Sequence, residues 1–153
     1  ALGLAYSVIY YLDSGVRQRG IVIAEAEGSY TLAIHIHAQV EGSICGEPLK
    51  LPLQTGAPLT QPHTHNERNL IHWEGKLDAD EKGNVLDNTP LKLGTFMDVM
   101  ETQFTDSCLG DKCNGDACNG NPGKLTMLVN GQPTNEYRDY AWKDGDVITL
   151  RFG

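Results

Sequence analysis

Nowhere does this chain gather lysine and arginine into a basic patch. Twelve basic residues are scattered among 20 acidic ones, for a net charge of -8. A phosphate backbone needs clustered positive charge, so nucleic acid is not an expected partner. The catalytic signatures HExxH and GxSxG are missing, as is the CxxC of zinc ribbons and redox sites. No Asn-x-Ser/Thr sequon is present. Histidine is absent before residue 35 and after residue 72.

That last absence throws the remaining stretch into relief. All five histidines fall there, as His35-Ile36-His37, His63-Thr64-His65 and His72. Neutral imidazole offers a nitrogen lone pair and is the commonest metal ligand near neutral pH. A lone histidine is read most simply as structural, but two His-x-His pairs and a fifth histidine point to a metal site. In Tyr30–Val40 the residues alternate, with Leu32, Ile34 and Ile36 on one strand face and His35 and His37 on the other. Along a strand the two histidines stand about 7 Å apart, which suits one ion or two adjacent ions. His63 and His65 likewise share a face. The polar turn Asn66–Asn69, followed by a strand at Leu70–Glu74, makes a hairpin that returns His72 to them.

At 153 residues the chain is long enough for one domain with its own core. Seventeen glycines, seven prolines and short Val/Ile/Leu/Tyr runs predict strands and turns rather than a bundle. Further strands are predicted over Gly20–Glu27, Ile44–Lys50, Lys124–Gly131 and Val147–Phe152. Lys76–Asn88 is expected as an exposed loop. One helix is predicted over Thr95–Phe104, with Thr95 as N-cap and Asp98 three residues on. Met97 and Met100 within it are thioether candidates for copper(I), though core packing is the simpler reading.

Cys45, Cys108, Cys113 and Cys118 are the four cysteines. The last three lie in a Gly/Asn/Asp-rich stretch from Thr105 to Gly123. Two disulfides, of unspecified connectivity, are the favoured reading, with a thiolate metal site as the alternative. Disulfides imply an oxidising compartment, hence an extracellular or cell-surface location. The acidic residues of the stretch do not fall into an EF-hand register.

The N-terminal Ala1–Leu12 is apolar and uncharged. Twelve residues are too few to span a bilayer alone, so membrane attachment would need an anchor preceding residue 1. At period two it sorts into a bulky face, Leu2, Leu4, Tyr6, Val8, Tyr10 and Leu12, and a face that begins with small residues. Three readings stand: a strand packed in its own sheet, a strand donated to a neighbouring copy, or the end of an anchor.

Several segments together resemble a family of extracellular or membrane-anchored prokaryotic domains. They are His35-Ile-His37, Cys45-Gly-Glu-Pro-Leu-Lys-Leu-Pro52, His63-Thr-His-Asn-Glu-Arg-Asn-Leu-Ile-His-Trp-Glu74, Leu93-Gly-Thr-Phe-Met-Asp98, Val129-Asn-Gly131 and Asp144-Gly-Asp146 through Gly153. The resemblance covers about the last 120 residues and places all five histidines on motif positions. Asn66 stands where the family has aspartate, which removes one carboxylate, and Asn69-Leu70 replaces its Gly-Ile. The C-terminal part is also similar to the end of a β-grasp domain. Sulfur carriers of that fold end in Gly-Gly whereas this chain ends Phe152-Gly153, so a carrier role is not expected.

The expectation is therefore an α+β, mainly β protein. It has an antiparallel or mixed sheet, one short helix, a β-grasp-like C-terminal half and an N-terminal strand extension. Residues 1–33 form that extension and 34–153 the histidine domain. Functionally, it is read as a non-enzymatic extracellular protein binding a transition metal through His35, His37, His63, His65 and His72. Copper is favoured over zinc on raw affinity. It self-assembles into an oligomer or filament through the N-terminal strand. The alternative is a metal-dependent hydrolase, for which Glu67 and Glu74 are the acids at hand.

Overall fold

A computed structural model describes residues 20–53 and 60–153. The assembly strand expected over residues 2–12 lies outside them. Within them the protein is mainly β with one α-helix. In chain order the elements are β1 (Ile21–Ala24), β2 (Tyr30–Ile44), β3 (Glu47–Pro48), β4 (Leu70–Ala79) and α1 (Leu93–Val99). Then follow β5 (Cys108–Leu109), β6 (Lys112–Cys113), β7 (Ala117–Cys118), β8 (Asn121–Pro122), β9 (Leu125–Val129), β10 (Gln132–Pro133) and β11 (Val147–Phe152).

The main sheet is organised around β2. It pairs antiparallel with β4 over Tyr30–Gln39, and parallel with β11 over Gln39–Ile44. β9 lies antiparallel on the far side of β11, and β10 follows it. β1 pairs with the first residues of β2, so the boundary expected at residue 33 falls inside a continuous strand. The sheet is not confined to the C-terminal half: its parallel pair joins β2 to β11, and β4 pairs antiparallel with β2.

Period-two burial along β2 explains the layering. Leu32, Ile34, Ile36, Ala38 and Val40 are buried, and the residues between them are not. They join Ile71, Trp73 and Leu77 of β4, Leu125 and Met127 of β9, and Ile148, Leu150 and Phe152 of β11 in one core. Leu93, Phe96 and Met97 of α1 enter the same core, as does Met100 just beyond it. Each such large side chain contributes about 1.5–3 kcal/mol by leaving water. Both methionines are therefore packing residues.

Three element boundaries differ from expectation. β2 runs from Tyr30 to Ile44 unbroken, where the Tyr30–Val40 and Ile44–Lys50 strands were expected to be separate, and the turn falls at Cys45-Gly46. These two residues have φ of 51° and 86°, the doubly positive pair of a tight hairpin turn. β4 continues through Lys76 to Ala79, because Leu77 and Ala79 alternate inward with Lys76 and Asp78 outward. The helix begins at Leu93 and ends by Met100, where Glu101 takes φ 52°. Thr95 is inside it and donates to the Thr89 carbonyl instead of capping, while Asp98 forms a two-pronged pair with Arg138.

The cysteine-rich stretch forms two small hairpins, β5–β6 and β7–β8. Cys108–Cys113 closes the first, and Cys45–Cys118 ties the second to the turn after β2. No free cysteine is left among the described residues, so the thiolate metal site is set aside. Asp116 accepts a hydrogen bond from the Cys113 amide, a structural use of one of the acids.

Gly42 is where β2 and β11 come closest. It takes φ 149°, and a Cβ there would overlap the Leu150 carbonyl oxygen of β11. Only glycine permits this backbone approach. Gly42→Ala should therefore destabilise the protein by about 3 kcal/mol or more, read as the loss in urea midpoint against the wild type.

Candidate metal centre

The β2–β4 register puts His35 opposite Glu74 and His37 opposite His72. On the other side of β4, His63 forms an antiparallel bridge with His72, through His63 N–H to the His72 carbonyl at 3.0 Å and the reciprocal bond at 2.7 Å. Three parallel tracks of backbone therefore carry the five histidines and Glu74 side by side. The expected hairpin return of His72 to His63 and His65 is what brings the third track in. Thr64, pointing away between them, donates to the Pro52 carbonyl and anchors that track.

Asn69 sets the turn that leads into β4. It takes φ 67°, a left-handed conformation that glycine or asparagine accepts readily. Its side chain also accepts from the Leu51 amide and donates to the Leu49 carbonyl, each at 2.6 Å. Asparagine here thus fits the turn and adds two hydrogen bonds.

The rings form an unbroken chain. Centroid separations are 4.6 Å for His35–His37, 4.5 Å for His37–His72, 4.3 Å for His72–His65 and 4.7 Å for His65–His63. His63 is fully buried, whereas His35 retains 59% of its side-chain exposure. The site thus runs from a closed inner end to an open outer flank.

Proton bookkeeping at the inner end is decided by one contact. His63 Nδ1 lies 2.8 Å from the Gln61 carbonyl oxygen. A carbonyl only accepts, so Nδ1 carries the proton and neutral His63 has its lone pair on Nε2. That nitrogen faces His65 Nε2 at 3.1 Å. Two nitrogens held tetrahedrally by one ion at about 2.0 Å each stand about 3.3 Å apart. The pair is therefore spaced as it would be around a shared ion.

Glu74 sits between histidines from two tracks. Its Oε1 lies 3.1 Å from His35 Nε2 and 3.4 Å from His65 Nε2. Burial raises its pKa, but His35 and the hydrogen bond from His65 outweigh this, and the net shift is downward. It is a carboxylate at neutral pH. Among the described residues, two groups have donor atoms within 4.8 Å of one another: His35, His37 and His72, and His63, His65 and Glu74. All five predicted histidines are thus brought together, and Glu74 joins them as a donor. Glu67 is exposed and belongs to neither group.

Two contributors were not singled out as ligands or supports from the sequence. Glu74 follows His72 at a spacing of two on a strand, the same rule that pairs His35 with His37, so its position was open to the same reasoning. Asp144 had no local signal. Its carboxylate accepts from the His37 backbone amide at 3.0 Å, and Gly145 donates to the His37 carbonyl. Buried Asp146 pins that turn by accepting from the Tyr140 hydroxyl, the Lys143 amide and Asn130.

Compared with protein-family models, with curated proteins and with solved structures, the chain finds no match.

His72 Nδ1 is buried with no hydrogen-bond partner among the described residues. A buried nitrogen left that way costs about 1–3 kcal/mol, and a bound ion would supply the missing partner. Burial first, then the neighbouring His37, His65 and His63, lowers the His72 pKa from 6.5 to about 4. Its lone pair therefore persists well below neutral pH. The folded pKa lies below the unfolded one, so the unfolded chain binds the extra proton between these values. The resulting stabilisation is present above 6.5 and is lost as pH falls towards 4. In metal-free protein, thermal midpoints measured at about pH 7.5 and about pH 5 should differ less for His72→Gln than for wild type. Equal differences would exonerate His72 as an acid-sensitive group.

Proposed function

We propose that this is a non-enzymatic, extracellular metal-binding protein that holds a transition metal on the histidine-bearing face of its sheet. The observation that carries the reading is the inner histidine pair: His63, with its tautomer set by Gln61, turns its free Nε2 towards His65 Nε2 at 3.1 Å. Imidazole nitrogens suit copper(II), zinc and nickel, and copper(II) binds most tightly to a given nitrogen and oxygen donor set, so copper is favoured. The two disulfides support an oxidising compartment, and with it a location outside the cytoplasm.

Metal analysis of protein purified from its native source, followed by copper(II) and zinc titration of the stripped protein, tests the reading. Bound metal and a saturable spectral change are expected. His63→Ala with His65→Ala should weaken copper(II) binding by about 100-fold or more, since even residues that only support ligands contribute about 10–100-fold. Binding should also weaken below pH about 6.5, where protons compete for imidazole. Native protein without metal, together with spectra indifferent to both ions, overturns the reading.

The open flank at His35 and His65 favours a second reading, a metal-dependent hydrolase, because a catalytic ion needs a position not filled by protein. Hydrolysis abolished by chelation and restored by metal is the result that would establish it.

Assembly through residues 1–12 belongs to the same proposal and rests on the bulky and small faces of that segment. Removing those residues should convert an oligomer or filament to monomer in sedimentation while leaving metal binding intact. Unchanged size on truncation rejects strand donation.

A further inference from the structure

The two donor groups are neighbours, and their relation says more than that a metal binds. They share one sheet face and interlock: His72, assigned to one group, packs against His65 of the other with ring centroids 4.3 Å apart. Glu74, assigned to one group, has Oε1 3.1 Å from His35 Nε2 of the other. One carboxylate thus contacts a histidine of each group. Six donors are also more than a single tetrahedral ion takes, and each group supplies three, the number that holds one ion while leaving a position open.

We infer that the site holds two transition-metal ions as a pair, one on His35, His37 and His72 and the other on His63 and His65, with the Glu74 carboxylate bridging them. This rests on the metal-binding reading and deepens it to a stated number of ions and a named bridge. The physical case for the bridge is charge. Two dications on adjacent imidazole groups repel, and the other five donors of the two groups are neutral. Glu74 is the donor that brings negative charge between them. Without it the first ion opposes the second. Its Oε1 makes both contacts, so one carboxylate oxygen stands between a histidine of each group.

The sequence positions make the arrangement a consequence of strand geometry. Residues two apart on one strand share a face, which places His35 with His37, His72 with Glu74, and His63 with His65. Adjacent tracks bring these pairs onto one face: His35 stands opposite Glu74 and His37 opposite His72, and His63 bridges His72 on the other edge of β4. The His65 side chain then reaches across to put its Nε2 3.4 Å from Glu74 Oε1.

The test uses the whole chain, stripped of metal and titrated with copper(II), with bound ions counted by native mass spectrometry and spin coupling read by electron paramagnetic resonance. Two ions per chain are expected, with the resonance signal growing to one equivalent and then diminishing or broadening as the second ion couples to the first. Glu74→Gln keeps the size and shape of the side chain and removes its charge. It should weaken the second ion by about 10–100-fold or more and leave the first bound. His65→Asn should leave one ion per chain with the sharp signal of an isolated centre. One ion per chain in the wild type overturns the pair while leaving the metal-binding reading in place. Two ions with independent signals, or a Glu74→Gln variant that binds and couples both ions as the wild type does, overturns the bridge. No copper bound at all overturns both readings.

Discussion

The antiparallel register of β2 against β4 is the constraint on which everything else depends. It places His37 beside His72 and His35 beside Glu74, and the same pairing turns Ile34, Ile36, Ile71 and Trp73 into the core. Side chains alternate strictly along a strand, so a slip of one residue would carry the histidines inward and the isoleucines into water. Core and site therefore hold each other in place. Burial of the apolar face enforces the register, and the register assembles the donors. The histidine face of β2 is only partly covered, with His35 exposed and His37 half-buried. It is free to be polar because the opposite face supplies the stability.

Legibility followed the range of the interaction. The faces of β2, the pairing of the two His-x-His motifs and the return of His72 by a hairpin were all readable, because each depends on residues two to ten apart. The last strand, Val147–Phe152, was readable for the same reason. The parallel pairing of β2 with β11 was not, since those strands are about a hundred residues apart and parallel register has no turn to announce it. The helix was overextended because Met100 and Phe104 continue a helical apolar pattern, whereas tertiary contacts use Phe104 in a bridge with Leu109. Turn chemistry at Cys45-Gly46 was hidden because cysteine is an unusual left-handed residue. Its disulfide to Cys118 ties that turn to the β7–β8 hairpin.

Crowding five imidazoles on one face carries its own energetic consequence. If they were protonated together they would repel across ring separations of 4.3 to 4.7 Å. The fold responds at His72, where the charged form is disfavoured first by burial and then by the neighbouring rings. Keeping His72 neutral leaves its Nδ1 with no hydrogen-bond partner among the described residues. Such an arrangement is poorly satisfied by itself. A cation satisfies it by turning mutual repulsion into shared attraction, and the surrounding charge of -8 on the chain favours the cation's approach.

The C-terminal turn completes this logic from the other end of the chain. Asp144 and Gly145 bond to both backbone groups of His37, and Asp146 is buried behind them in three hydrogen bonds. On the edge of β2 opposite β4, β1 pairs at its start and β11 at its end, and His37 between them would otherwise lack a strand on that edge. The Asp-Gly-Asp turn fills that gap with fixed donors and acceptors. It holds the backbone of a candidate ligand with groups more than a hundred residues away, so closing the fold by β11 and positioning His37 are a single event. A metal site at this junction is then rigid on the side where the sheet is continuous and open on the side of His35, where solvent reaches it.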